Sequence, residues 1–311
     1  MNTISGGMFT VKVPASSANL GPGFDSIGLA VNLYLSVEAE LHSHWDIIPL
    51  SEELKRFPRG SEHFIAQIAI RTAKLYGREM PPCRLAVESD IPLARGLGSS
   101  AAAIIAGIEL ASHFCGLQLS RQEKLEIAAG VEGHPDNVGA SIYGGLVVGS
   151  QLESGIDLTP VHSVEMDLVA VIPEDELLTE SSREVLPERI AFSQAVEASA
   201  VANQLLAALF TGNWRVAGKM MASDRFHQPY RRRLIPWWDE VEQLALESGA
   251  FGTALSGAGP SLLCLAEPGN GKKLAQSLES SLSAMKIVQL EIERSGSYTS
   301  IIHQDNKKSP I

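Results

Sequence analysis

The residues whose types and spacing could do chemistry begin with the run Ile91-Pro92-Leu93-Ala94-Arg95-Gly96-Leu97-Gly98-Ser99-Ser100-Ala101-Ala102-Ala103. It follows a β-leaning segment and precedes a long Ala/Ile-rich helical pattern. A strand, a glycine loop and a helix start together offer unpaired backbone N–H groups and a positive dipole end to an anion. Gly96 and Gly98 let the backbone approach a ligand with no Cβ in the way. Ser99 and Ser100 stand where an N-cap belongs. The chemistry suggested is a phosphate cradle; a strand–helix corner built of small residues would use the same types.

A second glycine-rich segment, Val13 to Asp25, carries Asn19 and Asp25 on a tight loop. An amide and a carboxylate there could hold a group rich in donors, such as an ammonium or a hydroxyl, or simply shape the loop as Asx turns. A third, Ser256-Gly257-Ala258-Gly259-Pro260-Ser261, joins two apolar runs and reads equally as a hairpin turn. Glu126 lies in the last half of a predicted helix, and Asp136 follows ten positions later beside His134. Phosphoryl transfer needs a hard cation with oxygen ligands and a group that meets the attacking hydroxyl; a Ser hydroxyl and these carboxylates would supply both. Arg183, after Thr179, and Arg231 within the basic run 231–233 could each fork a carboxylate or a phosphate. Other chemistries lack their residues. There is no GxxxxGK[ST], no GxGxxG, no GxSxG and no histidine pair with zinc spacing.

The elements that must position these residues follow from periodicity. Strands are expected at 9–14, 26–40, 45–48, 83–89, 143–150, 165–172, 251–255, 261–266 and 287–291. Helices are expected at 64–76, 100–114, 120–131, 187–210, 214–223, 237–248 and 272–285. Ser120 with Glu123 three residues on is a capping-box signature. Pro135, Gly133 and Gly139 are expected to keep 132–139 from being helical, and 297–311 reads as a mobile tail. A domain boundary falls in the polar stretch 152–160, giving 1–160 and 161–311.

The bulk composition narrows the class. The chain has 311 residues, 45% hydrophobic and 20% charged, with a net charge of −11. That charge argues against nucleic acid and anionic membranes as partners. Three scattered cysteines, Cys83, Cys115 and Cys264, read as reduced thiols of a cytoplasmic protein. No stretch reaches the ~18 apolar residues of a membrane span, and the N-terminus lacks a signal-peptide pattern.

The three glycine-rich segments in this order, together with Gly133-His134-Pro135-Asp136-Asn137 and Gly144-Gly145, resemble the GHMP kinases over roughly residues 10 to 292. The resemblance implies an α+β fold of two domains. The first would be like ribosomal protein S5 domain 2, with a left-handed βαβ unit, and the second ferredoxin-like, with the active site between them. It implies ATP and Mg²⁺, with Pro92, Leu93, Ala94, Arg95, Gly96, Leu97, Gly98, Ser99, Ser100, Ala101 and Ala102 on the ATP phosphates and Ser100 (or Ser99) with Glu126 at the metal. Asn19 and Asp25 would hold the amino and hydroxyl end of the acceptor, and His134, Asp136 and Asn137 would line its hydroxyl. Thr179, Arg183 and Arg231 would lie near a carboxylate. Whether Asp136 removes the proton or only orients the alcohol stays open. The first segment and the His-Pro-Asp-Asn loop point to the homoserine-phosphorylating branch, hence to L-homoserine as acceptor and a homodimer as assembly. A mevalonate- or sugar-type acceptor and a catalytically silent metabolite sensor are the alternatives. Where the family pattern has an Asn that helps hold the nucleotide, this chain has His63, so the adenine contacts are unassigned.

Overall fold

The computed structural model describes residues 7–302. The alternating segment β1 (Met8–Ala18) pairs antiparallel with the long β2 (Ile27–Leu41), and the register shifts between Pro14 and Ala15, where proline has no N–H for the ladder. β3 (Asp46–Pro49), α1 (Phe64–Leu75) and β4 (Cys83–Ser89) form a parallel βαβ unit, and β4 pairs with β2. Next come α2 (Ser99–Phe114), α3 (Arg121–Glu132) and α4 (Asp136–Tyr143). The hairpin β5 (Leu146–Leu152) and β6 (Gly155–Val161) then joins the sheet through the start of β2. α2 and α4 lie on β1 and β2, and α1 and α3 flank α2.

The second half is built on β7 (Asp167–Ile172). The chain leaves it through α5 (Thr179–Glu184), α6 (Phe192–Phe210), α7 (Trp214–Met221), α8 (Gln228–Arg231) and α9 (Trp238–Glu247). It returns as β8 (Ala250–Leu255), β9 (Leu262–Ala266), α10 (Gly271–Ser281) and β10 (Lys286–Leu290). The sheet order β10-β7-β9-β8, antiparallel throughout, is the ferredoxin-like arrangement. Both of its faces are covered, and the side chains sort with period two. Val169, Val171, Leu262 and Cys264 meet Trp238, Val241 and Leu274, while Leu168, Ala170, Leu263 and Leu265 join the other core with Leu205 and Met221.

Two sequence expectations fail here. Residues 136–143 are helical: Pro135 stands at the N-cap, where no N–H is needed, and Asp136 suits the positive first turn. The stretch read as a tail contributes β11 (Tyr298–Ile302), which pairs with β1. The first sheet is therefore closed by residues from the far end of the chain, and 303–311 lie outside the described residues. Among the described residues no helix is long and apolar enough to cross a membrane.

Candidate functional site

A cleft of about 570 Å³ opens where the end of β1, the start of α2, the α3–α4 turn, α5 and the β8–β9 turn meet. Its rigidity comes from close approaches. Gly28 on β2 faces the start of α4 so closely that a Cβ there would stand 2.1 Å from the Asp136 carbonyl; a larger residue would push Asp136 out of place. Gly96, with φ of +76°, leaves the same 2.1 Å to the Ser256 carbonyl. The Ser256 hydroxyl in turn donates to the Gly96 carbonyl at 2.7 Å, which leaves it to accept from the Ser17 hydroxyl at 2.8 Å. The cradle loop is thus clamped to the third glycine-rich segment.

Gly98, in the left-handed region at φ 71°, is the N-cap of α2, and it has no side chain to cap with. Ser99 and Ser100 are therefore the first helical residues, and the first-turn N–H groups of Ser99, Ser100 and Ala101 are left open to a ligand. Three of the residues expected to bind phosphate cannot donate: Pro92 has no N–H, Ala102 N–H bonds the Gly98 carbonyl, and Leu93 N–H reaches Glu53. Arg95 turns away from the cleft, donating to the carbonyls of Leu93, Pro173 and Glu174.

The structure does not bring Glu126 into the cleft. Glu126 is exposed on α3, accepts from Gln122 at 3.1 Å, and lines a separate surface depression with Arg71 and Leu75. The carboxylate in the cleft is Glu132, in the last turn of α3, which accepts from Ser100 Oγ at 3.0 Å. Burial pushes its carboxyl above the ordinary value against the opposing His134, Ser100 and Arg183. It is a half-buried acid with a hydroxyl beside it and no full counter-ion. These are oxygen donors suited to a hard dication. The other acidic group, Asp25, His134 and Asp136, offers a ring nitrogen, and its members already pair with Arg183 and with each other.

Gly133, at φ 94°, ends α3 and turns the chain into His134. His134 Nδ1 donates to Asp136 Oδ1 at 2.5 Å, and Asn137 N–H donates to the same oxygen at 2.6 Å. Burial alone would lower the His134 imidazole; the Asp136 hydrogen bond and charge reverse that and hold it above its ordinary value. Asp136 is 1% exposed, and its Oδ2 has no partner among the described residues. An unsatisfied buried carboxylate oxygen is costly, and Asp136 is one of the residues that line the cleft.

Across the cleft the β1–β2 loop is strained. Asn19, Leu20 and Asp25 all have positive φ, a sparsely populated conformation that clusters at functional sites. Asn19 holds it, accepting from Asp25 N–H at 3.0 Å and donating to the Gly257 carbonyl at 3.2 Å. Arg183 forks onto Asp25 at 2.7 and 3.2 Å. Arg231 is 2% exposed; its Nε donates to the Ser182 carbonyl and Nη1 to the Gly257 carbonyl, and both guanidiniums lie over the Phe24 ring. Burial and the nearby Arg183 charge lower Arg231 to about 10, so it remains a cation at neutral pH. Thr179, the first residue of α5, also lines the cleft.

An adjoining apolar hollow of about 830 Å³ shares Ala94, Ser99 and Ser100 with the cleft and is walled by Leu54, Phe57, Ile65 and Val87. No single motif marks it, because its walls come from several separate elements. His63 lines it as the N-cap of α1, accepting from Ile65 N–H at 3.3 Å.

Comparison with known proteins agrees with this architecture. Family models described as GHMP kinases N terminal domain and GHMP kinases C terminal match residues 63–145 and 205–284. A relative from Bacillus velezensis named homoserine kinase is 48% identical over 93% of this chain and 94% of its own length. One of the same name from Shouchella clausii is 47% identical over 94% of this chain and 98% of its own. The crystal structure of homoserine kinase from Cytophaga hutchinsonii superposes with a TM-score of 0.83 at 27% identity, covering 96% of this chain and 99% of that one.

Proposed function

This chain belongs to the GHMP kinases, and we propose that its cleft transfers the γ-phosphoryl group of ATP to the side-chain hydroxyl of L-homoserine. The reaction is that of a homoserine kinase in threonine biosynthesis, giving O-phospho-L-homoserine and ADP. The observation that carries the assignment of the acceptor end is the unpartnered Oδ2 of Asp136, a residue that lines the cleft beside Asn137 and His134.

The acceptor is a zwitterion with a hydroxyl, and the cleft offers a group for each end. Asp25 and Arg183 are bound to each other; an ammonium and a carboxylate entering together replace both partners at once, so neither charge is left bare. Arg231, with Nη2 free of hydrogen bonds among the described residues, adds a second donor to the carboxylate. The hydroxyl then meets Asp136 Oδ2. As oxygen attacks the γ-phosphorus, its proton passes to Oδ2 and the bond to the β-phosphate oxygen breaks. His134 and Asn137 N–H hold Oδ1, which fixes the direction of Oδ2. The open N–H groups of Ser99, Ser100 and Ala101 receive phosphate oxygens, and the apolar hollow receives adenine. Ser100 and Glu132 are the groups that would hold Mg²⁺, which when bound would neutralise charge on the phosphates. The catalytic contribution of the chain is mainly position and charge. A cytoplasmic homodimer is part of the same reading.

The test is steady-state turnover of homoserine, mevalonate and galactose with MgATP under coupled ADP detection. Homoserine is expected to be the preferred acceptor by more than tenfold in kcat/KM; a preference for either other alcohol would end the assignment. Arg231→Ala is expected to raise the homoserine KM by roughly 10²-fold, the cost of removing a charge-assisted partner. The ATP KM should stay within about threefold of wild type, because the hydrogen bonds of Arg231 go to Ser182, His227 and Gly257 and not to the cradle. An unchanged homoserine KM would remove Arg231 from the carboxylate end.

A further inference from the structure

We propose that His63 meets the nucleotide base as a hydrogen-bond donor and nothing else, so that the apolar hollow takes a purine without distinguishing a 6-amino from a 6-oxo group, and inosine triphosphate serves as phosphoryl donor alongside ATP. The proposal rests on the reading that places the base of the nucleotide in the hollow. His63 is 7% exposed and stands in the wall of the hollow as the N-cap of α1. Its Nδ1 accepts from Ile65 N–H at 3.3 Å, the one hydrogen bond of the ring among the described residues. A ring nitrogen that accepts carries a lone pair, so in the neutral imidazole the hydrogen sits on Nε2. Burial lowers the imidazole below its ordinary value against the Glu62 charge, which keeps the ring neutral at pH 7. The Nε2–H donor has no partner among the described residues and is open rather than enclosed. Phe57, another wall of the hollow, stands at 85° to the imidazole with centroids 6.3 Å apart.

The rest of the hollow adds donors and few acceptors. Arg56 only donates, and it is turned to Glu176 at 2.9 Å. The Ser89 hydroxyl donates to the Ile91 carbonyl and accepts Ile91 N–H. The wall carbonyls of Leu54, Val87, Leu93 and Ala94 already accept from Phe57, Leu50, Arg95 and Leu177. Ser99 and Ser100 belong to the cradle, where Ser100 is bound to Glu132. No side chain here is set aside to accept from a 6-amino group. Adenine and hypoxanthine differ at C6, an amino donor against an oxo acceptor, and at N1, which carries hydrogen only in hypoxanthine. Both keep ring acceptors at N3 and N7. A lone donor can bond either base and gains nothing from the amino group. A site that paired the amino group would reject the oxo base by orders of magnitude, because its buried partner would be left bare.

The test is calorimetric binding of the Mg²⁺ complexes of ATP and ITP with no acceptor present, so it does not depend on homoserine being the substrate. The two dissociation constants are expected to agree within about fivefold, as for a site that does not read the 6-position. An ITP constant more than about thirtyfold above that of ATP overturns the proposal, since it reveals an acceptor for the amino group. His63→Ser keeps a capping hydroxyl for Ile65 N–H and removes the Nε2–H donor. It is expected to weaken ATP and ITP alike, roughly 3- to 12-fold, the range for one neutral hydrogen bond. A loss confined to ATP, or no loss for either in a folded variant, overturns the proposal. In turnover, ITP should give a kcat within about threefold of that with ATP, because the base does not touch the reacting atoms. A protein that binds neither nucleotide overturns both this proposal and the functional reading. One that binds both as expected and leaves homoserine unphosphorylated supports the proposal and strikes the acceptor assignment alone.

Discussion

Asp136→Asn is expected to lower kcat for homoserine phosphorylation by roughly 10²- to 10⁴-fold, the range for loss of a positioned proton acceptor, with the homoserine KM within about fivefold. The isosteric amide preserves the fit at the start of α4 but cannot take a proton. A charge-only role predicts a smaller loss that falls on KM, so the split between kcat and KM decides between proton acceptor and orienting group. Rapid-quench measurement of the first turnover should show the loss in the chemical step; a wild-type burst with slow release would refute the role. The same variant has a pH signature in stability. The imidazole of His134 is held above its ordinary value by Asp136 against burial. A base whose folded-state value is raised contributes stability that is complete below its unfolded value and is lost as pH rises through the folded one. The substitution should therefore destabilise the metal-free protein more at pH 5.5 than at pH 8.5, as read by thermal melting. At the higher pH, removing the unpartnered Oδ2 charge offsets what is lost. A larger loss at pH 8.5 would contradict the pairing.

The parts of this molecule legible in the sequence are those in which one continuous segment both folds and functions. Gly96 to Ser100 reads as a cradle because the strand, loop and helix follow one another, and Asn19 and Asp25 sit on the loop that shapes them. What was not legible is set across segments. The hollow beside the cradle takes its walls from β2, α1, β4 and the turn before α1, each of which alone is ordinary core. β11 lacks periodicity because all five of its residues are exposed; it is a strand only because the edge of β1 offers it hydrogen bonds. The helix at 136–143 was missed for a local reason: Pro135 was read as a breaker, whereas at a helix start it costs nothing.

The choice between Glu126 and Glu132 shows the same limit and gives the sharpest test. Six residues on a helix turn through about 600°, leaving the two side chains about 120° apart around the axis. If one faces the start of α2, the other faces solvent. A fixed offset from Asp136 selected Glu126; the signal that favours Glu132 is its place in the last turn before Gly133, beside the residues of the cleft. Glu132→Gln is expected to lower kcat by roughly 10²- to 10³-fold, as for other single electrostatic contacts to a reacting group, and to raise the Mg²⁺ concentration needed for half-maximal rate. Glu126→Gln should match wild type within about twofold in both. Stability separates this from a folding defect. A carboxyl raised by burial destabilises the fold above its unfolded value, because the charged form is the one burial penalises. The metal-free Glu132→Gln protein should then melt at or above the wild-type temperature at pH 7. MgATP, which binds the native state, should raise the melting temperature of this variant less than that of wild type. Wild-type metal dependence in Glu132→Gln, or its transfer to Glu126→Gln, would return the metal to the other face of the helix.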